Sequence, residues 1–173
     1  MINKKQLQLG MLVDIQMNNT VKRGYITKII SQGNSKKGVK VRLHTGEEGR
    51  VERIITKDDI RLENFKFYNR FFFLPHLYTV WNRTENSFLI FEHTPAHKQV
   101  PEKTALLFDS EENAMLFLEN TPFQPPHYEV RRIHRKKPIA DLFQHKPDYF
   151  RINGERKISL DRLNEWEYYF KNQ

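Results

Sequence analysis

The stretch Gly38-Val39-Lys40-Val41-Arg42-Leu43-His44-Thr45-Gly46-Glu47-Glu48-Gly49-Arg50-Val51 decides how the first third of this chain is read. Val39, Val41 and Leu43 alternate with Lys40 and Arg42. Successive side chains of a strand point to opposite faces, so a strand here puts three apolar groups on one side and two cations on the other. One face needs a core; the other is left for solvent or a partner. Residues 45–49 supply turn chemistry, with Gly46 and Gly49 expected to take positive φ, and Arg50-Val51 begins a return strand. The expectation is a basic β-hairpin.

Upstream, Gly10 marks a turn, and in residues 11–17 Val13, Ile15 and Met17 share one face of a half-buried strand. Asn18-Asn19-Thr20 is turn material. A second strand follows over residues 22–30, in which Gly24 signals a bulge or the close approach of another backbone. Residues 31–38 are a basic loop. Four or five short strands within about 60 residues are most simply closed, or nearly closed, into a small SH3-like barrel, which buries one face and leaves few edges.

Gly10, Val13-Asp14-Ile15, Arg23-Gly24, Ile29-Ile30, residues 38–43, Gly46 and Gly49-Arg50-Val51 together resemble the YwbE-like family of small bacterial proteins, whose function is not established. The resemblance covers roughly residues 9–55. It departs from the family in a shorter connection around residues 18–21 and in Lys36-Lys37, where the family has His-Pro before the glycine. What it implies is a small β-barrel similar to translation-associated KOW and SH3-like modules, and no reaction.

Residues 56–63, with Asp58, Asp59 and Glu63, form a polar break, so the expected domains are a barrel over 1–60 and an α+β domain over 61–173. The second begins with a dense aromatic run: Phe65, Phe67, Tyr68, Phe71, Phe72, Phe73, Tyr78 and Trp81. Such side chains either stack on unpaired bases or fill a core, and without a matching cluster of cations the core reading is preferred. A hairpin of residues 78–82 and 87–93 is expected next, then a strand over 104–108. Asp109 or Ser110 caps a helix carrying Ala114, Met115, Phe117 and Leu118 and ending near Asn120, and a strand covers 127–134. Residues 139–144 suit a short helix. Asn153-Gly154 is the strongest hairpin turn in the chain, and Ser159 caps a C-terminal amphipathic helix with Leu160, Leu163, Trp166 or Glu167, and Phe170 on one face. Residues 149–163 also loosely resemble the wing and following helix of excisionase-like DNA-binding proteins, without a convincing helix-turn-helix before them. The overall class is mainly β plus α+β.

The net charge is +8, and it is unevenly placed: residues 1–60 hold 12 Lys/Arg against 6 Asp/Glu, and residues 61–173 hold 17 against 15. The basic excess of the barrel suits a polyanion, which would bind with release of counterions. The candidate contacts there are Lys22, Arg23, Lys36, Lys37, Lys40, Arg42 and Arg50. A second basic run, Arg131, Arg132, Arg135, Lys136 and Lys137, is a further candidate phosphate strip or a solvated strand end.

The absence of cysteine excludes disulfides, thiolate nucleophiles and cysteine-ligated zinc, and is consistent with a reducing cytoplasm. No apolar run approaches the length of a membrane span, and the first residues lack the pattern of a signal peptide, so a cytoplasmic protein with no membrane partner is expected. His93 and His97 stand four apart, but Pro95 between them breaks the helix that would align them, so no metal is expected. Neither a phosphate-binding loop nor a nucleophile elbow is present, which leaves no catalytic residue and no cofactor to name. The expected function is non-enzymatic nucleic-acid binding, with RNA or a ribosome-like surface ahead of DNA. The alternative is a protein-protein interaction module using the barrel and the aromatic-rich second domain.

Overall fold

A computed structural model describes residues 2–31, 38–123 and 126–173. Among the described residues the chain is mixed α and β, mostly strands with three α-helices, and it divides into two compact units, Met1–Lys66 and Phe67–Gln173.

In the first unit, β1 (Leu12–Met17), β2 (Thr20–Ile29), β3 (Lys40–Leu43) and β4 (Glu48–Ile54) are antiparallel, and β1 pairs with both β2 and β4 to close a four-stranded barrel. The alternation expected of residues 39–43 holds: Val39, Val41 and Leu43 are buried with Val13, Ile15, Ile26 and Val51. Leu7 joins this core from the segment just after a short 3-10 turn at Lys4–Gln6. Each such side chain contributes about 1.5–3 kcal/mol on burial, the main reason so short a sheet closes. Asn18 (φ 48) lies in the two-residue connection that follows the Met17↔Thr20 pair. The loop expected over residues 31–38 lies largely outside the described residues.

Two bulges shape the outer surface. Between Ile26↔Leu43 and Lys28↔Arg42 the strand β2 carries one extra residue, Thr27, whose hydroxyl donates to the carbonyls of Arg42 and Leu43 at 3.2 and 3.3 Å. Between Ile15↔Val51 and Asp14↔Arg53 the strand β4 carries Glu52 as its extra residue. Simple alternation would turn Lys28 and Arg53 inward with Ile26 and Val51. Each bulge turns its cation outward instead.

Gly46 takes φ 95, as a turn residue should, but Gly49 does not have positive φ. It is a strand residue of β4, opposite Val41. A Cβ built on it would stand 2.6 Å from the Gln16 carbonyl oxygen, so glycine is there to let β1 and β4 meet. Gly24, by contrast, approaches side chains: a Cβ there would meet Leu43 Cδ1 at 3.0 Å and His44 Nδ1 at 3.1 Å.

The polar segment 56–63 is not an irregular linker but opens α1 (Lys57–Phe72). The division between the two units falls within this helix, after Lys66 rather than after residue 60 as expected. Thr56 and Asp59 form reciprocal bonds, the Thr56 amide donating to Asp59 Oδ2 at 2.8 Å and the Asp59 amide to Thr56 Oγ1 at 3.1 Å. This capping box satisfies the first helix donors, and the acids Asp58 and Asp59 suit the positive end of the helix dipole.

The second unit has two sheets. One runs β11 (Arg156–Ser159), β10 (Tyr149–Ile152), β8 (Glu102–Leu107), β7 (Ile90–His93), with β8 and β10 parallel. The other runs β6 (Ser87–Phe88), β5 (Leu77–Asn82), β9 (Tyr128–Ile133), and a single bridge between Tyr78 and Phe108 joins it to the end of β8. The expected second hairpin strand over 87–93 is therefore two strands, broken at Leu89. Its apolar run serves two cores in turn: Phe88 and Ile90 pack with one, Leu89 and Phe91 with the other. Helix α2 (Glu111–Glu119) starts at the Ser110 cap and buries Ala114 and Leu118, while Met115, expected on the same face, is exposed. Helix α3 (Leu160–Lys171) starts at the Ser159 cap and buries Leu163, Glu167 and Phe170. Asn153 (φ 53) and Gly154 (φ 76) make the expected turn between β10 and β11, and the element before that hairpin is a 3-10 turn, Ile139–Leu142. Of the aromatic run, Tyr68, Phe71 and Phe72 are buried beside Phe143, Phe150 and Phe170, Phe67 and Tyr78 pack against the cores, and Phe65 and Phe73 are exposed.

No helix among the described residues is long and apolar enough to cross a membrane.

Candidate nucleic-acid interface

The outer surface of the barrel carries a cationic patch built by strand register. Lys40 stands opposite Arg50, and Arg42 stands between Lys28 on one neighbouring strand and Glu48 on the other. Glu48 is held by both cations: Lys40 Nζ lies 2.9 Å from Oε2, and Arg42 Nη2 lies 2.6 Å from Oε1. The Lys40 ammonium first, and the Arg42 guanidinium next, keep the Glu48 carboxyl below the usual carboxylate range. Arg50 donates to the Gly38 carbonyl at 2.9 Å. Four cations and one carboxylate leave the patch strongly positive, and Lys40 and Arg42 keep 44% and 47% side-chain exposure despite their pairing. They remain open to an anion that can outcompete one glutamate.

The other candidates of the first unit differ. Arg23 is committed: Nε and Nη2 donate to the two oxygens of Asp14 at 2.7 and 3.0 Å, and Nη1 donates to Glu63 at 2.7 Å. Arg53 also reaches Glu63 at 2.9 Å, so two arginines and two carboxylates balance each other. Asp14 foremost, then Glu63, holds the Arg23 guanidinium above its ordinary value, and Arg23 in turn lowers Glu63. Lys22 is opposite the inward-facing Ile15 in the register, on the other side of β2 from Arg23, and is exposed near Glu47. Lys36 and Lys37 lie outside the described residues.

An aromatic pair borders the patch. Tyr25 is 52% exposed on the outside of β2, and its ring meets His44 edge-on with centroids 5.6 Å apart. The Tyr25 amide donates to His44 Nδ1 at 3.1 Å, and the His44 amide donates to the Tyr25 carbonyl at 2.9 Å. Gly24 leaves the room this imidazole needs against β2.

In the second unit the basic run of residues 131–137 does not form one strip. Arg131 and Arg132 are consecutive on β9 and face opposite sides, opposite Thr79 and Tyr78 respectively. The Arg131 guanidinium lies 3.8 Å from the centroid of the Trp81 ring and donates to Glu129 at 2.6 Å. Arg135 is half-buried, donating to the Leu74 carbonyl at 2.6 Å, and burial lowers its pKa against the opposing pull of Glu167. Lys136 and Lys137 are exposed. Alternation separates Arg131 from Arg132 on the strand, and Arg135, Lys136 and Lys137 lie beyond its end.

Sequence reasoning missed Lys28, Tyr25, His44 and the restraining role of Glu48. Tyr25 was accessible, since it alternates with Arg23 on the outside of β2. Lys28 was not, because only the bulge at Thr27 brings it out. His93 and His97 are both exposed, and among the described residues no three metal-ligating side chains converge. Compared with known proteins, the chain matches no family model, no curated protein and no solved structure.

Proposed function

We propose that this is a non-enzymatic nucleic-acid-binding protein, cytoplasmic and favouring RNA, in which the outer basic face of the barrel contacts phosphates. The observation that carries the reading is the register that sets Lys28, Lys40, Arg42 and Arg50 side by side on one face, with Glu48 among them. Contacts of this kind neutralise backbone charge and give affinity with little sequence choice. Lys36 and Lys37 remain in the proposal on sequence grounds; Arg23 drops to a structural part, holding Asp14 and Glu63. The closed four-stranded antiparallel barrel supports SH3-like character and the kinship with YwbE-like proteins, and that kinship supports RNA over DNA. Tyr68, Phe71 and Phe72 are buried and Phe67 and Tyr78 pack against the cores, which leaves Phe65 and Phe73 as the exposed members of the run and counts against a protein-docking face built from it as a whole.

The test is anisotropy of labelled mixed-sequence RNA and DNA strands against rising salt. Binding at low salt should weaken steeply as salt rises, and Lys40→Glu with Arg42→Glu should abolish it. No binding at low salt, or binding indifferent to the double substitution, refutes the proposal.

A further inference from the structure

The cationic patch explains attraction to any phosphate backbone, duplex or single-stranded. Tyr25 and His44 add something a duplex cannot use. We propose that this pair is a stacking platform for one unpaired base, which makes the partner of the barrel a single strand; the inference rests on the nucleic-acid reading above.

Four features support it. First, Tyr25 keeps 52% of its surface open on the outside of β2. Second, the pair is fixed: the imidazole is fastened through Nδ1 to the Tyr25 amide, and the two rings meet at 60°, so the tyrosine face is offered to solvent in a set orientation. An aromatic already ordered loses little freedom on binding. Third, the Gly24 position is shaped for it, since a Cβ there would press on His44 Nδ1 at 3.1 Å. Fourth, His44 follows the end of β3, two residues beyond Arg42, so the pair stands at the end of the strand that carries two cations of the patch. An aromatic face beside cations is the general arrangement by which single strands are held, because every base has a π-face and only unpaired ones can present it.

The test compares a mixed-sequence RNA strand carrying one 2-aminopurine with the same strand annealed to its complement, using the full chain at one low salt concentration. The wild-type protein should bind the single strand about ten-fold more tightly than the duplex and change the 2-aminopurine emission on binding. Tyr25→Ala should lose that preference and the emission change while keeping the salt dependence; Tyr25→Phe should keep both. Tyr25→Leu retains apolar cover without a π-face and should behave like the alanine variant. If Tyr25→Ala or Tyr25→Leu binds the single strand as the wild type does, or if the wild type binds the duplex equally well, the platform is refuted and the phosphate reading stands. If the wild type binds neither, both fall together.

Discussion

Replacing Glu48 by glutamine should make the protein bind nucleic acid more tightly. In the free protein the carboxylate occupies the donors of Lys40 and Arg42 at 2.9 and 2.6 Å, and a phosphate must displace it. Removing its charge raises the patch from an effective three positive charges to four, Lys28, Lys40, Arg42 and Arg50. For single strands the slope of log K against log salt is about −0.7 per neutralised phosphate, so it should steepen from about −2 to about −3. One added contact corresponds to about five-fold tighter binding near 0.1 M salt on the same relation. The assay is a salt titration of strand binding, with Glu85→Gln as the control. Glu85 lies in the turn between β5 and β6 of the other unit, and that substitution makes the same change to a net charge of +8. Glu48 is a surface partner, and unfolding curves should confirm that the variant folds as the wild type does. An unchanged slope, or an equal gain with Glu85→Gln, would show that these cations do not meet phosphates.

Gly49→Ala should destabilise the barrel by about 2–3 kcal/mol, because the new methyl meets backbone at 2.6 Å rather than a side chain that can move. Gly46→Ala, strained in φ but with open space around it, should cost only about 1 kcal/mol. Both tryptophans, Trp81 and Trp166, are in the second unit, so far-UV circular dichroism rather than tryptophan emission should follow the denaturant titration, and equal losses would refute the close-approach reading. In the second unit Glu102 is buried between Lys98 and Lys157, each 2.5 Å away, and Lys157 first, then Lys98, pulls its carboxyl down to about 2. A carboxyl depressed in the folded state contributes stability that is complete above its ordinary value of about 4.3 and is lost as pH falls toward 2. Glu102→Gln should therefore flatten the fall of the unfolding midpoint between about pH 4.5 and about pH 2, and parallel curves for variant and wild type would contradict it.

What could be read from the sequence was what depends on local periodicity. Val39, Val41 and Leu43 announced their burial by alternation, Ser110 and Ser159 announced their helices, and Asn153-Gly154 announced its turn. Thr56 to Asp59 carries an equally local capping signature, and Tyr68, Phe71 and Phe72 have helical spacing. The density of acids ahead of them suggested a boundary and hid the helix. Other features were beyond any local rule. Gly49 looks like a turn glycine until β1 is laid against it, and the division of residues 87–93 between two sheets depends on cores assembled from distant segments. The candidate site shows the same limit: charge named Lys40 and Arg42, whereas the membership of Lys28 and the withdrawal of Arg23 follow from pairings of β2 with β3, and of Arg23 with Asp14 and Glu63.

The bulges at Thr27 and Glu52 mark the two places where the barrel can change length without turning its charges over. Deleting Thr27 would place Lys28 directly after Ile26, so plain alternation would keep the ammonium outside and Ile29 inside, in the pairings with Arg42 and Val41 already present. Deleting Glu52 would do the same for Arg53 and Ile54. Strand length alone therefore does not set which side of such a barrel is electropositive; the pairing does, and two proteins of this design can differ by a residue in either strand and still present the same face.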